Sequence, residues 1–250
     1  MTFCLGIKVD DGLVGIADTL ITAGSETSTA AKIFTYQGDR QSLFIMTSGL
    51  RSVRDKALTY FEEVLDEHGP TFDRIFKALN AFGAQVRRVA EEDKQALADG
   101  GLVFNIHALV GGQFERDREH KLYLMYPQAN WVEVGQGTPS QIIGAAGYGK
   151  PVLDRTLKYR DPMSFALKVG CLAFDSTRIS AADVDFPIDV VLYERGSYQL
   201  VEQRYEKQDL AEISNWWQER LRKSVNELRS DWAEPLLSRL PSRRAAAAGG

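Results

Sequence analysis

Phe3, Leu5, Ile7 and Val9 alternate with Thr2, Cys4, Gly6 and Lys8, the period-two pattern of a strand with one buried face. Asp10-Asp11-Gly12 supplies a hairpin turn, because Asp and Gly tolerate positive φ. Residues 13–17 continue as a second strand that runs into Asp18. After a polar loop over 24–29, residues 32–36 and 42–47 read as a further strand pair turned by Gln37-Gly38-Asp39. Two helices follow. Val53, Ala57, Phe61, Val64 and Leu65 share a face of the first, and Phe72, Ile75, Phe76, Leu79, Phe82, Val86 and Val89 share a face of the second. Gly69-Pro70 separates them and Gly100-Gly101 closes the second.

Strand patterns return at 103–110, 121–126 and 131–134, helical ones at 150–159 and 162–174, and a last strand pair at 188–193 and 198–203. Strands grouped around helix pairs predict an α+β fold rather than alternating β-α units. Two packed, mainly antiparallel sheets with a helix pair outside each, a four-layer αββα sandwich over residues 1–205, would bury all of these faces. The segment 206–240 differs. Leu210, Ile213, Trp217, Leu221, Val225, Leu228 and Trp232 line one face of a long charged helix, with Trp216 beside the stripe. Such a face must dock on its own domain or on a neighbour. Residues 241–250, rich in Arg, Ala and Gly, read as a disordered tail.

Composition narrows the chemistry. A formal net charge of -4 offers no broad attraction to nucleic acid or anionic membrane. No apolar run approaches the roughly 20 residues that span a bilayer. MTFCLGIKVDDG lacks the features of a signal peptide, and two cysteines make no disulfide framework, so a cytoplasmic setting is expected. His68, His107 and His120 are scattered, so neither a metal nor another cofactor is expected. A G-x-x-x-x-G-K-[ST] loop is missing too, so any energy-driven unfolding of a substrate falls to a separate ATP-dependent protein.

Thr2 becomes N-terminal if Met1 is removed, and then carries a hydroxyl and a free α-amine on one residue. An α-amine titrates at about 7.8, against about 10.4 for a lysine, so it can serve as base for its own hydroxyl at neutral pH. A cation nearby would lower the pKa of that amine. Singly, Lys32 reads as a solvated strand-end lysine and Asp18 as a turn residue. Ser48-Gly49 reads as a helix start with Ser48 near the cap. Together they supply a cation, a carboxylate to orient it, and a glycine N–H for an oxyanion hole.

In this order the four positions resemble the β-subunits of proteasomes. IGAAGYGKPVLDR, AFDSTRIS, FPIDVVLYE and EISNWWQERLRKSVNEL are similar to segments of one bacterial family, Anbu (ancestral β-subunit), across about residues 2–235. The resemblance implies the N-terminal-nucleophile hydrolase fold and a threonine-type peptidase. Thr2 would be nucleophile and base, Lys32 its electrostatic partner, Asp18 the group that orients Lys32, and Gly49 the oxyanion donor. It also implies that Asp175 helps hold the nucleophilic end and that Thr22 lies beside the bound peptide. Without the resemblance, Asp175 is a helix-end polar residue and Thr22 a loop threonine. It implies a homo-oligomer, as a double ring or open spiral. Ala145-Ala146-Gly147 stands where relatives carry a polar or acidic group, and Leu20 where an Arg is common. A small-molecule amidase on the same fold and a silent structural ring subunit remain alternatives.

Overall fold

The computed structural model describes residues 2–23 and 26–240, without the side chains of residues 22–27. In chain order the elements are β1 (Phe3–Val9), β2 (Gly12–Asp18), β3 (Leu20–Ala23), β4 (Glu26–Thr29), β5 (Ile33–Gly38) and β6 (Gln41–Gly49). Then come α1 (Arg51–His68), α2 (Ile75–Asp99), β7 (Ile106–Phe114), β8 (Lys121–Met125), β9 (Trp131–Glu133) and β10 (Ser140–Gly144). The chain continues with α3 (Lys150–Thr156), α4 (Met163–Ser180), β11 (Ile188–Glu194), β12 (Leu200–Tyr205), α5 (Ala211–Glu227) and α6 (Glu234–Leu237). Two five-stranded sheets run β10-β1-β2-β11-β12 and β5-β6-β7-β8-β9, and β3 pairs with β4. The pairings among the described residues are antiparallel, so the fold is α+β.

Three buried clusters hold these elements together. Leu43, Ile45 and Val110 of the second sheet pack with Val53 and Phe61 of α1 and Phe82 of α2. Phe61 meets Phe82 edge-on at 5.3 Å, a favoured aromatic geometry. Leu5, Ile7 and Ile16 of the first sheet pack with Leu153 of α3 and Val169 and Phe174 of α4. Cys4, Leu13 and Tyr193 of the first sheet pack with Phe44, Leu109 and Leu122 of the second. Each large apolar side chain so enclosed is worth about 1.5–3 kcal/mol. Gly149 lets α3 close on α4, since a Cβ there would stand 2.8 Å from the Ala173 carbonyl oxygen.

Several elements differ from the sequence expectation. β1 is buried on both faces, not one. Its second face carries Cys4 and Gly6, small enough to sit against the other sheet, and the Lys8 ammonium is satisfied by Glu119 (3.3 Å) and Glu133 (3.0 Å). The supposed polar loop at 24–29 contains β4, and the short strand β10 was not expected. α2 starts at Ile75, leaving Phe72 outside it, because the Asp117 carboxylate accepts the Ile75 N–H at 2.9 Å. β7 starts at Ile106, so Val103 and Phe104 lie outside it. α4 runs on past Phe174 to Ser180, with the Ser176 and Thr177 hydroxyls bonded back to the Leu172 and Ala173 carbonyls. Leu50 is the N-cap of α1, without a side-chain bond, and Ser48 lies two residues before it.

The chain divides into two compact units, one ending at Leu210 and the other beginning at Ala211. In the second unit the long helix expected through Trp232 stops at Glu227. Ser230 turns the chain, its carbonyl accepting the Ala233 N–H at 2.8 Å. The tail expected to be disordered, 241–250, lies outside the described residues. No helix among those described is long and apolar enough to cross a membrane.

Candidate active site

Thr2 stands immediately before β1. Its carbonyl oxygen accepts the Ala145 N–H at 2.7 Å, so the end of β10 clamps the start of the chain. This close approach needs Gly144. Its φ is +89°, and a Cβ would run into the Thr2 carbonyl oxygen. The position held by Ala145 thus acts through its backbone, although it offers no polar side chain.

Asp18 ends β2 and is fully buried. Its Oδ1 accepts two hydrogen bonds, from the Phe3 N–H at 2.7 Å and from Lys32 Nζ at 2.8 Å. Lys32 immediately precedes β5 and donates again to the Leu20 carbonyl at 2.7 Å. The carboxylate therefore ties the residue after Thr2 to the lysine, and the lysine is aimed by two acceptors. Burial pushes the Asp18 carboxyl above its ordinary value, opposed by the Lys32 charge and by both hydrogen bonds. Its Oδ2 is buried with no hydrogen-bond partner among the described residues.

Thr2 and Lys32 line one cavity of about 460 Å³, together with Thr47, Ser48 and Gly49 at the end of β6. Such a volume suits a side chain or small ligand. Gly49 is obligatory at its position, with φ +132° and the Asn105 carbonyl oxygen where a Cβ would stand. The structure thus brings Thr2, Asp18, Lys32 and Gly49 to one place. Asp175 does not line the cavity. Its Oδ1 pairs with Arg178 at 2.8 Å, while its Oδ2 is buried without a hydrogen-bond partner among the described residues. One residue earlier, Phe174 packs edge-on to Phe3 at 5.8 Å, which brings α4 near the start of β1. The side chain of Thr22, expected beside the peptide, and Met1 both lie outside the described residues.

Arg51, Arg54 and Asn105 also line the cavity and were not singled out from the sequence. Charged residues in a first helical turn read as solvated. The available signal was spacing, since positions i and i+3 share a helix face, here beside a candidate oxyanion glycine. Cys4 is no rival nucleophile, because burial pushes its thiol far up and it donates to the Thr47 carbonyl at 3.6 Å. Among the described residues no group of three or more His, Cys, Asp or Glu side chains is placed to hold a metal.

No family model matches the chain, and no curated protein matches its sequence. Solved structures do. The Anbu (Gly-1) mutant from Hyphomicrobium sp. strain MC1 is 28% identical, with 92% of this chain and 98% of that one covered and a TM-score of 0.84. Anbu (ancestral beta-subunit) from Yersinia bercovieri is 26% identical, covering 91% and 97%, with a TM-score of 0.84. The helical assembly of the Anbu complex from Pseudomonas aeruginosa is 28% identical, covering 91% and 97%, with a TM-score of 0.85. This backbone is shared over nearly the full length of both chains, so the chain is similar in fold and sequence to the Anbu family of proteasome-related bacterial proteins.

Proposed function

We propose that this chain is a threonine-type N-terminal-nucleophile hydrolase that cleaves peptide or amide bonds inside a homo-oligomer. One observation carries the reading. A buried carboxylate joins the Phe3 N–H to Lys32 Nζ, and that lysine shares a cavity with Thr2 and a glycine whose conformation other residues rarely adopt. Three buried clusters, helix on sheet, sheet on sheet and sheet on helix, support the four-layer αββα arrangement of that superfamily. Two free cysteines fit a reducing cytoplasm. The helical assembly of the Pseudomonas aeruginosa relative supports a homo-oligomer here.

The chemistry requires Thr2 to be the first residue. Its hydroxyl oxygen attacks the substrate carbonyl carbon and its hydroxyl proton passes to its own α-amine. Lys32 lowers the proton affinity of that amine through its charge, and the Gly49 N–H stabilises the oxyanion, a contribution of about 3–4 kcal/mol. Collapse expels the leaving amine, which takes the proton. Water then gives a proton to the Thr2 α-amine as its oxygen attacks the ester carbon, and that proton passes to the Thr2 hydroxyl oxygen as the acid product leaves. Asp175, with one carboxylate oxygen unpartnered among the described residues, is assigned to holding the nucleophilic end, and Thr22 to the backbone of bound substrate.

Intact mass tests this directly. Purified protein should lack Met1, and a peptide epoxyketone should add covalently to it and not to Thr2→Ala. Equal addition to both proteins removes Thr2 from its role. Met1 retained in the assembled particle turns the reading to a silent structural subunit.

A further inference from the structure

The cavity has a charge character of its own. Lys32, Arg51 and Arg54 line it, and among the described residues no aspartate or glutamate does. This stands against an acidic chain of net charge -4. Lys32 is already spoken for by Asp18. Among the described residues the two arginines share a single counter-ion, Asp55, whose Oδ2 accepts from Arg51 Nε at 3.2 Å and whose Oδ1 lies 2.6 Å from Arg54 Nη2. Asp55 is not among the lining residues, and one carboxylate cannot balance two guanidiniums, so among the described residues one positive charge at the wall is uncompensated.

The two arginines are held differently. Arg54 is fixed by Asp55 and by a 3.2 Å bond from Nη1 to the Ala31 carbonyl, with only 12% of its side chain exposed. Arg51 is 56% exposed and bonds through Nε alone among the described residues, so its two terminal nitrogens are open. A guanidinium with two free parallel donors matches the two oxygens of a carboxylate. A neutral or basic group there would find the wall charge unanswered or repelled.

We infer that this cavity is a subsite selecting an acidic side chain, Asp or Glu, on the substrate residue whose carbonyl Thr2 attacks. Arg51 is the adjustable contact and Arg54 the fixed positive wall. The inference rests on the hydrolase reading only in placing the scissile bond at Thr2.

Two measurements separate the subsite from the chemistry. In the first, amidated tripeptides ending in Glu or Gln are titrated by calorimetry into the assembled Thr2→Ala protein, where amidation leaves the side chain as the only difference in charge. The Glu peptide should bind about fivefold more tightly, as expected for a partly exposed charge pair, and Arg51→Glu should abolish or reverse that preference. Equal binding of the two peptides, or no binding of the Glu peptide, overturns the subsite. In the second, epoxyketones bearing Glu or Gln at the reacting residue are timed on the native protein. A preference in calorimetry without labelling of Thr2 keeps the subsite and removes the hydrolase. Labelling that is equal for both probes, with equal calorimetric binding, removes the subsite and keeps the hydrolase.

Discussion

Asp18 Oδ1 lies 2.8 Å from Lys32 Nζ, with the two side chains 0% and 3% exposed. Ions so enclosed lose their hydration, and deleting one strands the other. Breaking a buried pair this way costs about 3–5 kcal/mol, whereas removing both charges is close to neutral. Lys32→Met should therefore lower stability by about that amount. Asp18→Asn added to it should restore most of the loss, because the amide oxygen still accepts the Phe3 N–H. Turnover should be absent in both variants. Denaturant unfolding and a peptide assay on the same samples check this. A double variant that turns over substrate would deny the pair its electrostatic role.

Gly144 offers a test of geometry without touching any reactive group. Alanine there meets the Thr2 carbonyl oxygen and must adopt φ near +89°, so the start of the chain is pushed from its seat. Displacing a reacting group by an ångström costs about a hundredfold in rate, which is the loss expected for Gly144→Ala. Gly147→Ala is the control, since nothing lies within 4 Å of its added methyl group. Equal rates for the two variants would show that Thr2 does not depend on this clamp.

The sequence made local patterns legible and left long-range ones hidden. Alternation at Phe3, Leu5, Ile7 and Val9 located β1, and the helical faces of α1 and α2 were read from spacing. Its second buried face depends on Leu109 and Leu122 packing above Gly6, a contact over a hundred residues away in sequence that no local window contains. β10 is five residues whose partner is β1, so its existence is a property of pairing rather than of alternation. Thr2, Asp18, Lys32 and Gly49 were found by their order, and the fold brings them together. Arg51 and Arg54 were passed over because a charged first turn ordinarily faces water, whereas here that turn starts at the cavity wall, where the Asn105 carbonyl accepts the Leu50 N–H at 2.9 Å.

His120 gives the fold a pH dependence. Its Nε2 donates to the Val9 carbonyl at 2.7 Å, and its Nδ1 is buried without a hydrogen-bond partner among the described residues. Charging the ring would bury an unsatisfied proton, and burial accordingly holds its pKa below the ordinary value, with the Lys8 charge adding to this. The unfolded chain, with a histidine pKa of about 6.5, then binds protons that the folded chain does not. Stability present above that pH is lost as pH falls through it toward the folded value. His107, also lowered by burial, contributes in the same direction. Urea midpoints should thus drop between pH 7.5 and 5.5, and drop less in His120→Gln, whose amide can still donate to Val9. An identical drop in both proteins would assign the effect elsewhere.

The second unit carries the remaining prediction. Its helix α5 exposes Trp216 (50%), Leu221 (48%) and Val225 (70%), and the residues after it expose Trp232 (73%) and Leu236 (67%). This much apolar and aromatic surface on about thirty residues is unlike a solvated extension, and tryptophans are enriched where partners bind. A homo-oligomer would cover it. Truncation should be made after Leu210, not earlier, because Leu210 packs against the cluster that holds β1 to α4 and its loss would confuse assembly with folding. The truncated chain should keep its far-ultraviolet dichroism per residue in the sheet region and sediment as small species, while the full chain sediments as a large particle. Trp216→Ser and Trp232→Ser in the full chain should weaken assembly in the same direction without removing the helix. If the truncated chain forms the same large particle, the contacts that build the oligomer belong to the first unit, and the exposed tryptophans serve some other partner.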